Sequence, residues 1–172
     1  MRTSSIVMVA ALGLAALSAC RQEAAAEPLD LRAAMQKQVN PAALAIWDVG
    51  NNAMNDAGGI DPALMDDAKW SKLAEAAGQL SAAGKAIAAA TNFKAAAEDN
   101  TAVGEGEIAM AEVQRHVDAD TAGFRQMGAA MAEHADKLGA AAQARDAAQA
   151  GEIVSQMDTV CESCHSRYWY PE

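Results

Sequence analysis

Aromatic residues make up only 4% of this 172-residue chain, and β-branched residues are sparse. No stretch alternates apolar and polar residues with period two, so the pattern gives no support to a half-buried sheet. Positive charge is also scarce. The chain carries 13 Lys and Arg against 23 Asp and Glu, a net charge of −10. Such a surface argues against nucleic acid and against a polybasic membrane patch. It suits steering toward a basic partner, and it also simply keeps a protein soluble. The three cysteines cannot all pair with one another. There is no repeat of solenoid period and no low-complexity tail.

What remains is alanine and helix. Four segments emerge. The first spans about Leu29 to Asn55, with Asn40-Pro41 inside it, where the missing backbone donor predicts a kink or a restart. Asp61-Pro62 opens the second, with Asp as N-cap and Pro at the first helical position. Asp66 and Asp67 offer an alternative start. This segment fades near Phe93, and the polar stretch from Glu98 to Gly106 is the central loop. The third begins near Glu107. The fourth starts at Asp146, which with Gln149 forms a capping-box pattern. Four such helices joined by short loops predict an all-α antiparallel four-helix bundle. Many interior positions must then be alanine, leaving space that small side chains do not fill.

The fourth segment carries Cys161-Glu162-Ser163-Cys164-His165. C-x-x-C-H is the attachment signature of c-type haem. Two thiols at this spacing suit the two vinyl groups of one porphyrin, and the following His suits the iron. On a helix, residues three and four apart share a face, so one face carries both thiols and the imidazole. A haem slotted between helices would also fill the space left by alanine. The competing readings are a disulfide in an exported protein, a zinc site, and a thioredoxin-like redox pair. Zinc needs more ligands than the motif supplies; His116 and His134 are the only other histidines and there is no second C-x-x-C. A thioredoxin-like pair wants a strand before the motif, and none is indicated.

Residues 1–19 form a signal segment: a basic Arg2, then an apolar run from Ile6 to Leu17 too short to span a bilayer. It ends in Leu17-Ser18-Ala19-Cys20, which resembles the bacterial lipoprotein cleavage motif. The resemblance implies cleavage before Cys20 and lipidation of Cys20, hence a periplasmic protein anchored to a membrane. Arg21 in place of Asp favours the outer membrane. Cleavage would take one charge, Arg2, and leave a net of −11. Residues 20–28 then form the lipidated Cys and a short tether, and 29–172 one helical domain.

The position of C-x-x-C-H near the C-terminus, the aromatic Tyr168 three residues after it, the mature length and the four helical segments together resemble the class II c-type cytochromes, the cytochrome c′ and c-556 family. The resemblance implies one covalent haem c, with thioethers at Cys161 and Cys164 and His165 as proximal ligand. It implies a single-electron carrier between redox partner proteins, not an enzyme. The alternative is a five-coordinate haem that binds nitric oxide or carbon monoxide for sensing or detoxification. The family places an Arg on the first helix and its distal residue one turn later. Here Arg32 is the candidate propionate partner. Met35, three residues on rather than four, is the candidate distal ligand, and that spacing leans against methionine ligation. Members often form homodimers through the first two helices, a surface that Pro41 interrupts here. The closing aromatic run, Tyr168-Trp169-Tyr170, either shields the haem edge or anchors the chain end.

Overall fold

The computed structural model describes residues 26–170. The signal segment and the lipidation candidate Cys20 lie outside the described residues. The described chain is mostly helical, with two strands of two residues each.

α1 (Leu31–Ala34) is capped by Asp30, whose carboxylate accepts from the Ala33 N–H at 2.9 Å. It runs directly into a π-helical turn, Met35–Val39, and then into α2, Asn40–Asn52. This is how the chain meets the proline. Pro41 has no N–H, and its ring would strike the carbonyl four residues back. The turn before it is widened instead, with the Asn40 N–H donating to the Met35 carbonyl five residues back. The predicted restart is therefore present as a wide turn.

A short 3₁₀ turn, Pro62–Leu64, precedes α3, Asp67–Ala89. Asp61 and Asp66 each accept a backbone N–H, at 2.8 Å in both cases, so both predicted starts are used. The third expected segment is two helices, α4 (Met110–Ala119) and α5 (Thr121–Ala144). Asp120 divides them, with non-helical backbone (φ −145°, ψ 57°) and a side chain that accepts from the Gly123 N–H at 3.0 Å. The fourth is also two, α6 (Ala147–Ser155) and α7 (Met157–Tyr168), separated by Gln156. Asp146 caps α6 through the Gln149 N–H at 3.0 Å, as its pattern predicts. α5 ends at Arg145, in the left-handed conformation (φ 56°), with the Asp146 N–H bonded to the Ala141 carbonyl.

The two strands, β1 (Leu29–Asp30) and β2 (Phe93–Lys94), pair in parallel. Two residues are too short to leave a period-two signature in sequence. They pin the start of the first helix to the chain just past α3, and the Arg32 N–H extends the pairing to the Ala95 carbonyl at 3.0 Å.

Packing centres on α3 against α5, with α2 on α3 and both α6 and α7 on α5. Glycine brings α3 and α5 together. A Cβ on Gly84 would stand 2.7 Å from the Gly128 carbonyl oxygen and 2.8 Å from the Ala132 nitrogen, and one on Gly128 would stand 2.6 Å from Ile87 Cγ2. Where alanine alone would leave space, these glycines close it.

The buried side chains fall into two clusters. One gathers Ile46, Trp70, Leu73, Leu80, Leu138 and Met157; the other gathers Leu31, Ile87, Val113, Phe124 and Tyr168. Met35 and Met131 pack against both. The space that alanine was expected to leave lies along this seam.

Candidate functional site

A cavity of about 330 Å³ opens at the seam between the clusters. α2 and the π turn contribute Met35, Val39, Ala43 and Trp47 to its wall; α5 contributes Phe124, Met127, Gly128 and Met131. α7 contributes Val160, Cys161, Cys164 and His165. The helical spacing of the motif thus turns both thiols and the imidazole toward one apolar space. Cys161 packs against the first cluster and Cys164 against the second, so the pair straddles the seam.

Both thiols are free and partly buried. Burial pushes the Cys164 thiol up to about 11, with Cys161 adding to the effect. The Cys161 thiol is also raised, by burial first and then by Asp158. Redox-active C-x-x-C pairs depend on a thiol held below its ordinary range, and both shifts here run the other way. Burial also lowers the His165 imidazole, with Glu162 opposing. A neutral imidazole is the form that binds a metal. Among the described residues, no three His, Cys, Asp or Glu side chains converge as a metal-ion site.

Met35, the candidate distal residue, lines the same cavity. Arg32 does not. Its Nη2 donates to Glu107 Oε2 at 3.1 Å and its Nη1 is directed at Met110 Sδ at 3.1 Å. Its Nε is buried and has no partner. The guanidinium thus retains a donor beyond the ion pair it already makes. Glu107 was not legible as a functional residue. It sits just past a polar loop, and its partners are far away in sequence. Besides Arg32, it accepts from the Gly104 N–H at 2.8 Å and from the Trp169 indole at 3.1 Å.

His116 and His134 are both partly buried, and neither lines the cavity. His134 Nε2 lies 2.9 Å from the Ile153 carbonyl. Trp70 is a core anchor, while Trp47 stands in the cavity wall and also borders an outer groove with Asp158, Glu162 and His165.

No family model, curated protein or solved structure matches this chain. The reading of the site therefore rests on its own chemistry.

A haem can be tested against these walls. The lining is apolar apart from Asn40, the thiols and the imidazole. The thiols are unpaired, and the first helix, which gives Met35 to the wall, also carries the unsatisfied guanidinium N–H of Arg32. The donor set and the apolar lining fit a haem held by Cys161, Cys164 and His165.

Glu107 carries a pH prediction. Burial acts to raise its pKa, but the Gly104 N–H, the Trp169 indole and Arg32 together lower it below the ordinary value of 4.5. Its contribution is thus fully present above about pH 4.5 and is lost as pH falls through the lower folded value. The thermal midpoint should drop as pH falls below about 4.5, and Glu107→Gln should flatten part of that drop. Identical midpoint–pH curves for the two proteins would refute this.

Proposed function

We propose that this chain is a c-type haem protein of the bacterial cell envelope that carries single electrons between protein partners. The carrying observation is that Cys161, Cys164 and His165 share one apolar cavity. The proposed frame is an antiparallel four-helix bundle, with α2, α3, α5 and the α6–α7 pair as its members. In it Cys161 and Cys164 would hold one haem c by thioethers, and His165 would bind its iron. When bound, the haem supplies a one-electron iron couple. The chain's own residues supply the rest. Phe124, Met127, Met131 and Val160 exclude water from the couple, which helps set its potential. Burial lowers the His165 pKa and so favours its neutral, metal-binding form. Arg32 offers its free Nε–H to a propionate.

The test is covalent attachment. Matured by a c-type haem system, the protein should keep its haem through acid–acetone extraction and give a haem-stained band after denaturation. Cys161→Ala with Cys164→Ala should abolish both. Extraction of all haem from the wild type would end the reading. A charge-transfer band of methionine–iron ligation that vanishes in Met35→Ala would identify Met35 as distal ligand. Its absence, with carbon monoxide binding to the reduced form, would favour the five-coordinate alternative.

The periplasmic, membrane-anchored location rests on Leu17-Ser18-Ala19-Cys20. No described helix is long and apolar enough to cross a membrane. The mature protein should fractionate with membranes, and Cys20→Ala should release it or block processing. A mass spectrum showing an unmodified N-terminus at Cys20 would refute the anchor.

A further inference from the structure

We propose that Tyr170 is a positioning residue for His165, and that a clasp centred on the Glu107 carboxylate holds it there. The inference rests on the haem reading above and adds a residue to it. The Tyr170 ring lies 5.4 Å from the His165 imidazole, centroid to centroid, at an interplanar angle of 86°. This edge-to-face contact restricts rotation of the imidazole about its side-chain torsions. The helical winding of α7 carries on for one more turn and brings the ring there. The Trp169 and Tyr170 N–H groups both donate to the His165 carbonyl, at 2.8 and 2.7 Å. Trp169 is buried, and its indole N–H ends on Glu107 Oε1 at 3.1 Å. The other oxygen of Glu107 takes Arg32 and the Gly104 N–H. One carboxylate therefore joins the first helix, the central loop and the chain end.

Trp169 is the anchor of this end. Tyr170 itself is exposed, so its ring is not explained as core packing. The charges that act on it are Glu107, Arg32 and Glu162. Hydrogen-bond partners of a metal-binding imidazole fix its orientation and tune the metal. Tyr170 acts on the His165 ring by a different route, an edge-to-face contact of its own ring.

The test uses the haem-loaded protein with Tyr170→Ala, Tyr170→Phe and Glu107→Gln. Haem-stained bands in all three would show that attachment is intact. Tyr170→Ala should change the reduced-to-oxidised ratio at a fixed poise by roughly two- to tenfold, the scale of an aromatic edge contact, and alter the electron paramagnetic resonance of the ferric form, which reports imidazole orientation. Tyr170→Phe keeps the ring and should match the wild type in both. Glu107→Gln should move both in the direction of Tyr170→Ala, by less. If Tyr170→Ala keeps the wild-type potential and resonance while only its thermal midpoint falls, Tyr170 is a chain-end anchor and the inference is overturned. If the wild type holds no covalent haem, the haem reading fails instead.

Discussion

Alanine at Gly84 should cost about 1–3 kcal/mol, the range for overpacking a filled interior. Alanine at Gly78, six residues earlier on the same helix, should add about 0.5–1 kcal/mol, because alanine loses less freedom than glycine on joining a helix. The sign differs because the surroundings differ. A Cβ on Gly78 meets nothing within 4 Å, whereas one on Gly84 meets the backbone of α5 at 2.7 and 2.8 Å. Backbone cannot rotate away as a side chain can. α3 and α5 must separate, and that separation widens the cavity wall at Gly128. Urea unfolding of the two variants beside the wild type would read the difference. Two midpoints displaced in the same direction would contradict the close crossing.

Phe124→Ala should be more damaging still, at about 3–5 kcal/mol. Phe124 is 1% exposed and stands edge-on to two other rings, Phe93 at 5.1 Å and Tyr168 at 5.0 Å. It links β2, α5 and α7. Removing it leaves a void beside a cavity that already exists, and α7 loses the ring that seats Tyr168, four residues after Cys164. The variant should therefore also load haem less completely when matured, with Phe124→Leu intermediate on both measures. A loss under about 1 kcal/mol would mean that the three rings are not a cooperative unit.

Much of this was readable from residues alone. Asp61, Asp66 and Asp146 are caps because a short acidic side chain before a helical run satisfies free N–H groups within three residues. The convergence of Cys161, Cys164 and His165 followed from helical spacing, again a local rule. What was missed is of two kinds. The breaks at Asp120 and Gln156 were hidden because apolar residues keep their helical interval across them: Val117 to Phe124, and Ile153 to Met157 to Val160. Glu107 was hidden for a different reason. Its side-chain partners Arg32 and Trp169 lie 75 and 62 residues away, and no local pattern encodes such a meeting. The space between helices was inferred from alanine, but glycine closed it along α3–α5 and left it at the seam.

The wide turn at Met35–Val39 gives the first helix a reserve of length. A π turn is an α-helix carrying one surplus residue, and this one absorbs the surplus before Pro41. Deleting one residue from the exposed run Gln36-Lys37-Gln38 would let the turn tighten to an ordinary α turn, with Leu31 and Arg32 still facing as they do now and Pro41 pressed on the carbonyl four residues back. A deletion inside Ala42–Val49, where no surplus is held, would instead swivel one side of the helix by about a hundred degrees, one residue's share of a 3.6-residue turn. Leu31 would then leave its cluster, and Arg32 would aim away from Glu107. The same change of one in residue count is silent in orientation at the first place and disruptive at the second.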